Sequence, residues 1–184
     1  MNPLYLMHRF KSTLPAVRKW IENTLEDNRP NAVSVASLSF PLLCKLLPND
    51  LLARAQAVVV TGKVPFPPLS HMGLPEFTQM ENMLMDGITY KDTIFLSHLH
   101  QTESIHFHVL VHVIQWERLG IDNFLLAYGV GLMQFGYRDS PFEKMAYSLQ
   151  TEFDRGLLAA NIVEIVQQGT DAIWKGVSPL FSKV

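Results

Sequence analysis

A central apolar segment of the chain contains the sequence His-Val-Leu-Val-His at residues 108–112. Two histidines four residues apart on a helix share one face, with Cβ atoms roughly 5–6 Å apart. That spacing lets two imidazoles bind one metal ion at bond lengths of about 2.0–2.1 Å. Burying two imidazoles among valine and leucine costs about 1–3 kcal/mol for each unsatisfied polar group. A shared metal ion would offset that cost. A carboxylate partner would do so too, in which case His108 and His112 are ordinary core residues.

The helical direction of the neighbouring residues limits the candidate site to this pair. At about 100° per residue, His108 and His112 lie about 40° apart, with Gln115 at the margin of the same face. His106 falls about 160° from His108, on the side that we expect to face water. We therefore exclude His106 as a ligand.

The composition predicts one globular domain over residues 1–184. Hydrophobic residues make up 48% of the chain and charged residues 17%, so it can bury a sizeable core. The formal net charge of −2 provides no basic field that would favour nucleic acid. Cys44 is the single cysteine, which excludes an internal disulfide and a thiolate zinc cluster. We expect it to be a small buried residue.

No transmembrane helix or secretion signal is expected from the sequence. It contains no run of about 18 apolar residues, and charged residues interrupt the first 19 positions. A cytoplasmic location is therefore the default expectation. Residues 4–20 could lie on a membrane surface as a basic amphipathic helix. We favour packing of this segment onto the rest of the domain.

The first 56 residues are predicted to form a helical N-terminal extension to a core over residues 57–184. Apolar residues at three- and four-residue steps predict a first helix that breaks near Pro15. The β-branched residues Val58, Val59 and Val60 predict a strand. The elements expected in this half are helices over 4–26, 33–46 and 51–56, a strand over 57–61, and a glycine- and proline-rich loop over 62–75, the best candidate for an internal boundary.

The second half is predicted to begin with a β-hairpin that leads into the histidine helix. Thr102 is the expected N-cap of this helix, and Gly120 its C-terminal stop. Pro141 is expected near the first position of a later helix that ends at Gly169. The elements expected here are a short helix over 76–85, strands over 87–90 and 93–99, and helices over 103–119, 122–135 and 141–168.

A third metal ligand should come from another element, and Glu143 is the prime candidate. Tyr147, Gln150 and Asp154 fall on the same stripe of the predicted helix, where Tyr147 or Asp154 could support a ligand. The alternative is that this stripe is a solvated face. His98 and His100 point to one side of the predicted strand, where they either support the mouth of the site or face solvent.

Several short motifs, in one order, resemble the small bacterial zincin-like metallopeptidase domains whose third ligand is glutamate, the gluzincin arrangement. In those domains a hairpin leads into a helix that reads His-Glu-x-x-His-x-x-Gln. The resemblance covers roughly a third of the chain and implies that His108, His112 and Glu143 bind zinc. The matching segments are GITY at 87–90, HVLVHVIQWERLG at 108–120, FLLAY at 124–128 and YRDSPFEKMAY at 137–147.

Val109 is the departure from the family pattern, because the family has a glutamate there that takes a proton from the metal-activated water. Losing a general base typically costs about 10²–10⁴-fold in rate. Glu103 and Glu117 lie on other faces of the helix and cannot replace it locally. Glu76 or Glu81 could reach the site from the preceding segment. Ordinary peptidase activity is therefore not expected.

We therefore expect an α+β, mostly helical protein with a zincin-like core, a small β-hairpin or sheet and a helical N-terminal extension. The first functional hypothesis is a metal-binding pseudo-peptidase or repurposed metallohydrolase that binds zinc. Its metal is structural or holds a protein or small-molecule ligand, which the sequence does not identify. The second is a non-haem Fe(II) enzyme, since two histidines and one carboxylate also form that facial triad. The third is a metal-free helical interaction protein.

Overall fold

The computed structural model describes residues 3–182. The predicted domain of 1–184 therefore includes four terminal residues that lie outside the described ones. The chain is α+β and mostly helical, with one small mixed sheet. Its helices are α1 (Pro3–Asn28), α2 (Pro41–Leu46), α3 (Asn49–Arg54), α4 (Thr78–Glu81), α5 (Glu103–Asp139), α6 (Pro141–Asp154) and α7 (Ile162–Val177). Its strands are β1 (Val33–Ser34), β2 (Gln56–Val60), β3 (Gly87–Tyr90) and β4 (Thr93–Ser97).

The sheet has the strand order β1-β2-β4-β3. β2 and β4 are parallel, with Ala57 opposite Ile94, whereas β3 and β4 form the predicted antiparallel hairpin, with Thr89 opposite Ile94. All five residues of β4 are buried, as expected of a central strand. The β2 strand prediction over 57–61 is confirmed to within one residue at each end.

Helix α5 changes direction at two glycines. Gly120 has φ 73° and ψ 170°, and Gly136 has φ 75° and ψ −177°, which is a backbone region that only glycine adopts readily. The first part, residues 103–119, packs its histidine face into the core. The second part, residues 121–135, folds back with Phe124 and Tyr128 against α6. The Thr102 cap is confirmed, because its side chain accepts a hydrogen bond from the Ile105 N–H.

The predicted break in α1 at Pro15 is wrong, since the helix continues through this residue to Asn28. Proline inside a helix costs about 3 kcal/mol. Phe10, Val17 and Ile21 are buried on either side of it, and each contributes about 1.5–3 kcal/mol through burial. Packing of both halves of α1 onto the core therefore outweighs the cost of Pro15.

Two of the predicted helices are shorter than expected. Phe40 precedes Pro41 and is held in an extended conformation, so α2 begins only at Pro41 while Val33 pairs with β2. The helix predicted over 141–168 ends at Asp154. There Gly156, at φ 68°, donates to the Phe153 carbonyl and the Leu157 N–H donates to the Glu152 carbonyl.

Two burial predictions are wrong, and both depend on how residues 35–46 pack. Cys44 is exposed on the short helix α2 instead of lying in the core. His106 was expected to face water but is 2% exposed, because Phe40 covers its ring at a centroid distance of 4.5 Å. Its Nδ1 lies 2.9 Å from the Thr102 carbonyl oxygen.

The loop over 62–75 packs against the body of the protein, with Val64 and Leu74 each 2% exposed. The short helix expected over 76–85 is reduced to a 3₁₀ turn (Pro75–Phe77) and α4. Among the described residues, no helix is both long and apolar enough to cross a membrane.

Candidate metal centre

Two helices bring the three predicted ligands together. His108 and His112 lie on successive turns of α5, and Glu143 lies in the first turn of α6, which Pro141 begins. A carboxylate is favoured near a helix N-terminus, where the backbone N–H groups are unpaired. All three side chains are buried, with residue exposures of 8%, 6% and 2% in that order. The buried group therefore has the composition of a three-ligand metal site.

The distances within this group match the size of a small divalent ion. The Nε2 atoms of His108 and His112 are 3.3 Å apart. Each lies 3.3 Å from a different carboxylate oxygen of Glu143. Ligands at about 2.0–2.1 Å from a tetrahedral metal are about 3.3–3.4 Å apart. Each Nε2 thus lies at the ligand spacing of a tetrahedral zinc site from the other imidazole and from one oxygen of Glu143, and the two imidazoles face different oxygens.

The outer nitrogens of both imidazoles contact glutamine side chains. His108 Nδ1 lies 3.0 Å from Gln150 Oε1, and His112 Nδ1 lies 2.8 Å from Gln115 Oε1. An amide oxygen only accepts hydrogen bonds, so each Nδ1 must be the donor. In a neutral imidazole this leaves the Nε2 lone pair directed at the other ring and at Glu143. Gln150 is itself fixed by donating from Nε2 to Ser104 Oγ at 2.9 Å.

The Glu143 carboxylate has one firm hydrogen bond. Tyr128 donates its hydroxyl proton to Oε1 at 2.6 Å. Oε2 is buried and has no hydrogen-bond partner within residues 3–182. Burial tends to raise the pKa of this carboxyl, but His112 and His108 outweigh that effect and hold its pKa below the usual range. Glu143 is thus an ionised carboxylate whose buried Oε2 faces His108 Nε2 at 3.3 Å without a hydrogen bond.

The pKa values of Tyr128 and His112 are also shifted, and the Glu143 carboxylate contributes to both shifts. Burial and the charge of Glu143 raise the pKa of Tyr128 well above its ordinary value, so this phenol remains a donor. Burial alone would lower the pKa of His112, but the Glu143 carboxylate and the bond to Gln115 raise it. Without a metal, His112 therefore holds a proton more readily than an ordinary histidine does.

Val109 lies beside the ligands in the wall of a cavity. The same cavity is lined by His108, His112 and Glu143. The carbonyl of Val109 accepts a hydrogen bond from Thr89 Oγ1 at 3.0 Å, which fixes this turn of α5 against β3. The side chain at position 109 therefore borders the space next to the candidate metal, and there it is apolar.

Carboxylates that the sequence offered as replacements have other partners. Glu76 pairs with Arg9 at 2.8 Å, and Glu81 accepts from the backbone and hydroxyl of Ser70. Glu103 accepts from the Leu43 N–H, and Glu117 pairs with Arg54. Of these four carboxylates, none lines the cavity.

Of the supporting residues that were considered, the structure brings only some to the site. The Tyr147 ring packs on His108 at a centroid distance of 4.5 Å, and Gln150 contacts the same imidazole. Asp154 is exposed at the far end of α6. His98 and His100 are exposed and away from the ligands, with His100 Nε2 lying 3.5 Å from Asp86 Oδ1.

Sequence reasoning missed Tyr128 and the role of Gln115. Tyr128 belongs to the FLLAY motif that carried part of the family resemblance, so a signal was present. Gln115 was placed at the margin of the histidine face, where its side chain is long enough to turn back by one turn.

Comparison of the chain with protein-family models, with curated proteins and with solved structures finds no match.

Proposed function

We propose that this protein binds one divalent metal ion, zinc in the first instance, through His108, His112 and Glu143. The observation that carries the proposal is the paired orientation of the imidazoles. Each Nδ1 is engaged by a glutamine oxygen, so both Nε2 atoms converge on the same buried carboxylate. Second-sphere partners of this kind are what metal-binding histidines use to fix their tautomer and direction.

We further propose that the site is zincin-like and binds without efficient hydrolysis. A bound zinc ion supplies Lewis acidity and lowers the pKa of water to about 7. The chain supplies the ligands, the tyrosine that orients Glu143 and an apolar wall beside them. It supplies no carboxylate at position 109 to take up a proton. This supports a pseudo-peptidase or repurposed metallohydrolase, in which the metal holds a ligand.

Two alternatives differ from this proposal in the metal that the purified protein would contain, which is iron in one and none in the other. A non-haem iron enzyme would retain Fe(II) and consume oxygen in an iron-dependent manner. A metal-free protein would use His112 and Glu143 as a buried ion pair, and chelators would leave its melting temperature unchanged. The convergence of two imidazole Nε2 atoms on one carboxylate supports a metal over a buried ion pair, and metal analysis separates zinc from iron.

Elemental analysis of protein purified without a histidine tag tests the proposal. We expect about one zinc per chain in the wild type and a large loss in His112→Ala. Glu143→Gln should also lose metal while it keeps the shape of the side chain. His106→Ala is the matched control, since this buried histidine lies on the opposite face of the same helix and outside the ligand group. Equal metal content in His112→Ala and His106→Ala would overturn the proposal.

A further inference from the structure

The candidate metal group forms one wall of a cavity of about 100 Å³. Most of the remaining wall is apolar and comes from α1, the loop after β2, β3 and both parts of α5. A dry cavity of on the order of 150 Å³ can bind a benzene-sized molecule. This cavity has about two thirds of that volume, which is room for a short alkyl chain and less than a ring needs. Its apolar lining includes Phe10, Leu14, Phe66, Phe77, Ile88 and Leu125.

Five hydroxyl groups line this wall; that of Tyr137 is in hydrogen-bonding contact with Tyr147, and the other four donate to partners inside the protein. Thr13 donates to the Arg9 carbonyl, Thr89 to the Val109 carbonyl and Tyr90 to the Pro65 carbonyl. Tyr128 donates to Glu143. A ligand that carries amide groups would therefore find few donors here, and each unpaired buried amide costs about 1–3 kcal/mol.

Charge near the metal favours an anion. No lysine or arginine is among the residues that line the cavity, and Glu143 is its one carboxylate. A divalent ion with one carboxylate and two neutral imidazoles keeps one positive charge in excess. Trp116 also lines the cavity, and its buried indole N–H has no hydrogen-bond partner within the described part of the chain. A singly charged oxygen ligand would neutralise the site and could accept from such a donor.

We infer that the cavity binds a small apolar monocarboxylate, with the carboxylate on the metal and the hydrocarbon part in the apolar cavity. This inference rests on the metal site proposed above. It assigns the site a ligand class, a free short-chain aliphatic acid, in place of the peptide that a peptidase would take.

Three probes of matched structure separate the two halves of the ligand. Acetate carries the charged group alone, hexan-1-ol the chain alone, and hexanoate carries both. Calorimetry on zinc-loaded protein should show hexanoate binding at least tenfold more tightly than either, since each buried methylene strengthens binding by up to about fourfold. In cobalt-loaded protein, hexanoate and acetate should shift the visible absorption bands of the metal, while hexan-1-ol leaves them unchanged.

A variant that fills the cavity tests where the chain lies. Leu125→Trp adds bulk to the cavity wall and should weaken hexanoate binding tenfold or more without changing zinc content. Phe135→Trp is the matched control on the same part of α5, because Phe135 is exposed and lies outside the cavity. It should leave hexanoate affinity unchanged. Equal loss in both variants would contradict placement of the chain in this cavity.

The outcomes also distinguish this inference from the proposed metal site. Failure of the wild type to bind zinc would overturn the metal site and this inference together. Stoichiometric zinc with equal affinity for hexanoate and hexan-1-ol would overturn the inference alone. N-acetylleucinate tests the peptide source of the same carboxylate chemistry. Its binding more tightly than hexanoate would assign the cavity to a peptide C-terminus and contradict a free acid.

Discussion

At the scale of single residues, Val109 is the position at which the proposed metal site lacks a group for proton transfer. Its neighbours on the same helix, His108 and His112, have the orientation that a metal requires. Val109 lines the cavity beside them, so a carboxylate at this position would face the same space. Burial would raise the pKa of such a carboxylate, which suits a general base that works near neutral pH.

We therefore expect Val109→Glu to create hydrolytic activity in the zinc-loaded protein. A positioned general base typically contributes about 10²–10⁴-fold in rate, so hydrolysis of a small apolar ester such as p-nitrophenyl hexanoate should rise by that order over the wild type. Val109→Gln is the matched control, as its side chain has nearly the same shape but cannot accept the proton. Equal rates in the two variants would show that position 109 does not control proton transfer.

The glutamine that supports His108 gives a second prediction at this scale. Gln150→Leu removes the oxygen that contacts His108 Nδ1 and leaves the ligand atoms themselves in place. Loss of such a partner typically lowers metal affinity by about 10–100-fold. A competition titration with a chromophoric chelator measures this change. Gln134→Leu, at an exposed position on α5, should leave the affinity unchanged. An unchanged affinity in Gln150→Leu would contradict the supporting role.

The place of a single residue could be predicted from the sequence where the direction of its side chain from the helix axis was sufficient information. Spacing on one helix placed His108 and His112 together, and the motif after Pro141 selected Glu143. Burial of His106 and exposure of Cys44 were beyond reach, because both depend on how residues 35–46 pack. Helical angle gives a direction from the axis, whereas burial depends on what another segment places there.

At the scale of elements, the end of the histidine helix at Gly120 determines which side chain of the following helical segment contacts Glu143. The positive φ of this residue lets residues 121–135 turn back, so that Tyr128 can donate to Glu143. The sequence predicted this stop and the hairpin correctly, because both are local. It missed the end of α6 at Gly156, although glycine followed by leucine is a common C-terminal signal. It also missed β1, since two residues form a strand only when β2 is alongside.

Gly120→Ala should destabilise the protein by about 1–3 kcal/mol, because alanine is strained at this φ and ψ. Gly176→Ala provides the comparison within α7. A Cβ added there meets no atom within 4 Å, so this substitution should stabilise the protein by about 0.4–1 kcal/mol. Urea unfolding of both variants measures the two signs. Loss of stability by similar amounts in both would contradict the assigned role of the backbone at Gly120.

At the scale of the whole molecule, the proposed metal centre joins α5 to α6. Both helices contribute buried ligands, so a bound metal ion links their packing to the free energy of unfolding. A ligand that binds only the folded state at a thousand times its Kd stabilises by about 4.1 kcal/mol. For a chain of this length, that corresponds to a rise in melting temperature of roughly 8–16 °C. Removal of metal by a chelator should reverse the rise.

The pH dependence of this stabilisation follows from the metal-free protein. Folding raises the pKa of His112, so protonated His112 stabilises the metal-free protein. This contribution to the free energy of unfolding is complete below about pH 6.5 and is lost as the pH rises through the folded-state pKa of His112. The lowered pKa of Glu143 means that its contribution is present above about pH 4.5 and is lost at lower pH. The ion pair therefore stabilises the metal-free protein most between these two values.

Stabilisation by zinc should have the opposite pH dependence at the upper end of this range and increase as the pH rises. The reason is that zinc binds neutral imidazole and must displace the proton from His112. The difference in melting temperature between zinc-loaded and metal-free protein should therefore increase from pH 5.5 to pH 7.5. Differential scanning calorimetry with and without a chelator measures it at each pH. His112→Ala, in which both the proton site and the ligand are absent, should show a small difference that does not vary with pH. A difference that shrinks with rising pH in the wild type would contradict competition between proton and metal at His112.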